Sequence, residues 1–145
     1  MRVNGLKIPD SFVAEMSKKT LNRPVGCWEL KEEVDAFGNK LATDLGEVWL
    51  TEEQLIKETK ELPNGFEADG FYGEKSEYSN EPGFIEDILD FSDIVAFAIS
   101  ADGAPFCFDY RNNKENPEII WWDDVYWRKI SNNYDNFIAL FDTNS

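Results

Sequence analysis

The chain has 145 residues, 42% of them hydrophobic, and carries a formal net charge of −15 with no histidine anywhere. This length and apolar content predict one domain, residues 1–145, with a core of its own rather than a disordered acidic tail. Without histidine, Ser-His-Asp and Cys-His catalysis and His-containing zinc sites are excluded, and no apolar run is long enough to span a bilayer.

The N-terminus, MRVNGLKIPDSF, lacks the apolar stretch of a signal peptide, so the chain is expected in the cytoplasm. IPDSFVAEM opens a short helix, with Pro9 in the first turn and Phe12, Val13 and Met16 on one face. GCWELKEEVDAFGNKLATDL then reads as extended segments broken by turns at Phe37-Gly38-Asn39 and Leu45-Gly46. Cys27 and Cys107 lack metal-type spacing and read as small buried hydrophobes in a reducing compartment. EVWL, residues 47–50, is a predicted strand running straight into a helix. Thr51-Glu-Glu-Gln54 has the capping-box pattern, Leu55, Ile56, Thr59 and Leu62 would face inward, and Pro63-Asn64-Gly65 stops the helix.

From Phe66 to Gly83 no period is sustained, and the stretch reads as a long mobile loop. The C-terminal half is clearer. DIVAFAIS is a buried strand, Asp102-Gly103 a hairpin turn, and PFCFDY alternates, Phe106, Phe108 and Tyr110 one way and Cys107 and Asp109 the other. A polar turn, RNNKENP, leads to a strand EIIWWD and an extended piece YWRKIS. A last helix then carries Tyr134, Phe137, Ile138 and Phe141 at spacings of three and four. The class is α+β, a mostly antiparallel sheet flanked by helices.

PEIIWWDDVYWRKI, residues 117–130, resembles a ligand site, with indoles beside carboxylates. A strand here sends Trp121 and Trp122 to opposite faces, so the two indoles cannot form one stacking platform. Asp123 and Asp124 fall at the strand end, where carboxylates commonly accept from turn amides. Asp109 with Asp123 or Asp124 could mimic a glycosidase carboxylate pair, a weak hypothesis without a separation. Arg111, Arg128 and Lys129 are few and flanked by acids, which makes a nucleic-acid surface weaker still. No cofactor, metal or catalytic residue is expected.

Charge carries the stronger functional signal. Between Glu29 and Asp93 stand 19 acidic and 5 basic residues, which accounts for nearly all of the net charge. Such a field repels nucleic acid and anionic membranes and attracts basic partners. Glu52, Glu53, Asp69, Glu74, Glu77, Glu81, Glu86 and Asp87 are the candidate contacts, with Phe71, Tyr72 and Tyr78 as aromatic anchors in the loop.

The run IVAFAISADGAPFCFDYRNNKENPEIIWWDDVYWRKISNNYDNFIALF, residues 94–141, together with IPDSFVAEM and GEVWLTEEQL, resembles the SUKH superfamily. Members there show an apolar strand, a Gly turn, an aromatic strand ending in Asp, a Pro-containing turn, a strand with Trp and Asp, and a helix with Phe. IPDSFVAEM resembles the family's Leu-Pro-x-x-Phe/Tyr helix, but the Asn-Gly-Gly that often follows that motif is not evident, and residues 66–83 match nothing in the pattern. The resemblance implies a mixed sheet packed with helices. For bacterial members it implies an intracellular immunity protein that neutralises a secreted toxin, and many such toxins are nucleases. The yeast branch implies regulatory or scaffold work linked to cell-wall synthesis.

Overall fold

A computed structural model describes residues 1–19, 29–31, 33–41, 43–62, 80–85, 88, 90–123 and 126–142. In chain order the elements are β1 (Arg2–Val3), β2 (Leu6–Lys7), α1 (Asp10–Lys19), β3 (Glu29–Leu30), β4 (Leu45–Val48) and α2 (Glu52–Glu61). They continue with β5 (Phe84–Ile85), β6 (Ile94–Ser100), β7 (Pro105–Asp109), β8 (Glu118–Asp123), β9 (Tyr126–Ser131), α3 (Tyr134–Ile138) and β10 (Phe141–Asp142). The main sheet has six strands in the order β4-β6-β7-β8-β9-β5, and β1–β2 and β3–β10 form two small ribbons. Each pairing among the described strands is antiparallel, which gives the expected α+β class.

The consecutive strands β6 to β9 pair in chain order as a meander, with short connections from β6 to β7 and from β7 to β8. Between β7 and β8, Asn113 Oδ1 accepts from the amides of Glu115 and Asn116, closing the polar turn on itself. Strand β6 is buried at six of its seven positions, as its unbroken apolar run requires of a strand covered on both faces. Beside a bulge in β6, the Ala96 amide donates to Thr59 Oγ1 of α2 at 3.0 Å, which ties that helix to the sheet.

The core is aromatic. Phe12 of α1 meets Phe97, Phe108 and Tyr134 edge-on, with ring centroids 5.6, 5.4 and 5.4 Å apart. Phe97 stacks on Phe108 at 4.2 Å, and Phe137 of α3 packs against Phe97, Phe106 and Phe141. Edge-to-face contacts of this kind add specificity to the burial energy. Helix α2 starts as its sequence requires: Thr51 Oγ1 accepts from the Gln54 amide and donates to Gln54 Oε1, both at 3.1 Å.

Three expectations are corrected. Ile56 is exposed, not inward, because the stripe Leu55, Thr59, Leu62 fills the buried face and the next residue turns 100° away from it. Leu45-Gly46 is not a turn but the start of β4, where Gly46 presses on β6: a Cβ there would lie 2.8 Å from the Ser100 carbonyl oxygen. Phe141 does not continue the last helix. It pairs with Leu30 in the β3–β10 ribbon, while its ring still reaches Phe137 at 5.1 Å. Of the mobile loop expected over residues 66–83, residues 66–79 lie outside the described residues, and 80–83 form the turn that enters β5.

Candidate functional site

Two of the acidic candidates, Glu52 and Glu53, open α2. Both are exposed, in the first helical turn, where the helix dipole favours carboxylates and holds them near the free amides. Glu81 is exposed too, in the turn that enters β5; its carbonyl accepts from the Phe84 amide at 3.2 Å. Asp69, Phe71, Tyr72, Glu74, Glu77, Tyr78, Glu86 and Asp87 lie outside the described residues, as do Cys27 and Asp124.

The tryptophan-aspartate stretch is architecture. Trp121 stacks on Phe106 at 5.5 Å and 15°, whereas Trp122 meets its cross-strand partner Trp127 edge-on at 5.5 Å and 67°. The indoles occupy opposite faces of the sheet, as strand periodicity requires. Of the aspartates considered for a carboxylate pair, Asp109 and Asp123 are committed elsewhere, and Asp124 lies outside the described residues. Asp109, buried at the end of β7, takes a two-pronged contact from Arg111 at 2.9 and 2.8 Å and also the Arg111 amide at 3.0 Å. That hydrogen bonding raises the Arg111 guanidinium pKa above its ordinary value. Asp123 contacts Arg128 Nη1 at 3.2 Å. Because Asp109 stands opposite Glu118, Asp123 is five positions further along β8, about 17 Å away at strand rise, too far for a glycosidase pair.

Arg128, one of the three cations of the nucleic-acid surface that the sequence argues against, is a buried side chain. It is 5% exposed, so its guanidinium cannot reach a phosphate backbone. Its Nη2 pairs with Asp35 Oδ2 at 2.9 Å and also donates to the Lys40 carbonyl, while Nε has no hydrogen-bond partner. Asp35 in turn holds the turn that carries Phe37, which is 45% exposed. Sequence reasoning missed this arrangement. Asp35 and Arg128 are 93 residues apart, and no local spacing announces the pair.

Cys107 is fully buried, and burial, then the neighbouring Asp109, pushes its thiol well above the ordinary range, so it offers no thiolate. Among the described residues no three acidic or sulfur side chains converge as a metal site. An open cleft of about 380 Å³ lies between the starts of α1 and α3 and the β7–β8 turn, where Ser11 Oγ donates to Asp135 Oδ1 at 2.6 Å. Its ionic groups, Lys7, Asp10, Glu115 and Asp135, are of both signs.

The described residues form an aromatic α+β core of one six-stranded antiparallel sheet, two small ribbons and three helices. The model of the SMI1/KNR4 family (SUKH-1) matches residues 3–140, and the chain belongs to that family. The family is generally one of non-catalytic immunity and regulatory proteins, so a role of the immunity or SMI1-like kind follows in general terms. Comparisons with curated proteins and with solved structures return no match. Among the described residues no helix is long and apolar enough to cross a membrane.

Proposed function

We propose that this chain is a bacterial immunity protein: a single SUKH-like domain, residues 1–145, that binds a cognate secreted toxin in the cytoplasm and neutralises it by stoichiometric occlusion. The observation that carries this reading is the family match over residues 3–140. It acts without catalysis and without a cofactor. The toxin is a basic protein, with a nuclease the favoured class, because a basic phosphate-binding groove is the surface that an acidic inhibitor can fill.

The charge of −15 supports the reading by setting the sign of the partner. Glu52, Glu53 and Glu81 present exposed carboxylates for it. Asp69, Glu74, Glu77, Glu86 and Asp87, with Phe71, Tyr72 and Tyr78 as anchors, are the remaining candidates of the proposed contact set and lie outside the described residues. Exposed charges of this kind speed encounter more than they deepen affinity.

The test is co-expression with the product of the adjacent gene. The expected result is that the neighbour alone arrests growth, that the pair does not, and that the two purify together. Association should slow several-fold on the double change Glu52→Lys, Glu53→Lys at low salt, and the difference should close as salt rises. A harmless neighbour that does not co-purify would favour the regulatory branch of the family instead.

A further inference from the structure

Phe37 is the exposed large aromatic side chain among the described residues, 45% of it open to solvent. Exposed apolar side chains are common when they stand singly, but this one is held on an unusually constrained turn. Asp35 Oδ1 accepts from the amides of Phe37 and Asn39 at 2.8 and 3.0 Å, and the Asp35 amide donates to the Asn39 carbonyl at 2.7 Å. The Ala36 amide reaches the Ile130 carbonyl of β9 at 3.2 Å, and Gly38 takes φ of 83°, which a side chain resists.

The other oxygen of Asp35 pairs with Arg128, both side chains being buried, and the same guanidinium donates to the Lys40 carbonyl. On the outer side, Lys129 Nζ lies 5.6 Å from the Phe37 ring centroid. Taking an ion pair out of water is costly unless its geometry is good, and replacing it by apolar residues often stabilises a fold. What this pair fixes is the backbone of the turn that presents Phe37. A residue on a backbone already fixed loses less freedom when it binds, which favours it as an interface anchor.

The surroundings set the sign of what receives it. Lys129 N donates to Gly83 O at 2.8 Å, so the turn that bears Glu81 lies along the same edge of the sheet. Glu33 and Glu81 are exposed there, Lys129 is matched by Glu118 at 2.9 Å, and Arg128 is shared by Asp35 and Asp123. With Lys40, that makes three cations against five carboxylates, a net negative rim. An anionic membrane is repelled by such a rim, and one ring is far too little for a self-interface, which needs roughly 800 Å² per copy.

We propose that Phe37 is the aromatic anchor of the toxin interface, seated in an apolar pocket of a basic protein surface, with Glu33 and Glu81 at its rim and the buried Asp35–Arg128 pair positioning the turn. This inference rests on the immunity reading above. The test is calorimetric titration of the purified chain with the product of the adjacent gene, using wild type, Phe37→Ala and Phe37→Tyr, with a thermal melt of each alone. The expected result is a loss of about 30-fold or more in affinity for Phe37→Ala, recovered in Phe37→Tyr, with melting unchanged because the ring is outside the core. Equal affinity of wild type and Phe37→Ala overturns the anchor and leaves the immunity reading standing. A toxic neighbour bound by neither form, or a neighbour that is not toxic, overturns that reading and the anchor with it. A change in the sedimenting mass of the chain alone on Phe37→Ala, or a loss of flotation with anionic phosphatidylserine vesicles, would assign the ring to self-association or to a membrane and overturn the proposal.

Discussion

Tyr110 and Tyr134 both bury a phenol against Phe108, with ring centroids 6.5 and 5.8 Å away, yet their hydroxyls meet different fates. Tyr110 Oη donates to the Lys7 carbonyl and so ties the N-terminal ribbon to the end of β7. Tyr134 Oη is buried with no hydrogen-bond partner. A buried polar group left unpaired costs about 1–3 kcal/mol, whereas a made hydrogen bond contributes about 1 kcal/mol net. Removing each hydroxyl should therefore change stability in opposite directions. Tyr134→Phe should stabilise the fold by about 1 kcal/mol, and Tyr110→Phe should destabilise it by a similar amount, since it leaves a carbonyl without its donor. Urea denaturation of the two variants measures both signs; a Tyr134→Phe variant less stable than wild type would show that its hydroxyl is solvated after all.

The elements that could be read from the sequence are those whose signal is local. A six-residue apolar run, an Asp-Gly turn and a threonine three residues before a glutamine each act within one strand or one turn, and β6, the β6–β7 hairpin and the start of α2 appear where the sequence predicts them. The elements that were misread depend on contacts distant in sequence. Gly46 was read as a turn residue because glycine usually marks one, but its role is to let β4 approach the Ser100 backbone. Phe141 fits a helical spacing, and it left the helix because Leu30, far away in sequence, offers a strand partner. The two uses of glycine can be separated experimentally. Gly46→Ala meets backbone atoms of Ser100 and Ala101 within 3.2 Å, so it should cost about 1–3 kcal/mol as overpacking. Gly38→Asn meets nothing within 4 Å and faces only a positive φ that asparagine tolerates, so it should cost well under about 1 kcal/mol. Equal losses in the two variants would remove the packing role assigned to Gly46.

At the scale of the whole molecule, the sequence showed the sign and crowding of the charge but not its use. Composition places 19 acids between Glu29 and Asp93. It cannot show that Asp35 is buried against Arg128 while Glu33, two residues earlier, is exposed, because burial is decided by what β9 brings alongside. A chain of this charge invites the view that its pH response is surface repulsion alone. The core argues for a second component. Burial raises the thiol of Cys107 and the phenols of Tyr110 and Tyr134 above their ordinary values of 9.0 and 10.0, and does the same for the less buried Tyr126. In the unfolded chain these groups ionise near those ordinary values, whereas in the fold Cys107, Tyr110 and Tyr134 keep their protons to higher pH. Above pH 9 the folded state therefore binds more protons than the unfolded state, and stability falls as pH rises, by about 1.4 kcal/mol per pH unit for each group ionised only when unfolded. Guanidinium denaturation from pH 7 to 11 should show little change attributable to these groups up to about pH 8.5 and a steepening loss beyond it. Substituting Cys107→Ala should flatten the curve between pH 9 and 10, whatever it does to absolute stability. Moderate salt separates the two components: it weakens repulsion among exposed carboxylates, but the alkaline slope, set by protonation of the core, should survive it. A slope that salt abolishes would mean that repulsion governs the whole response and that the buried thiol and phenols titrate as if they were in water.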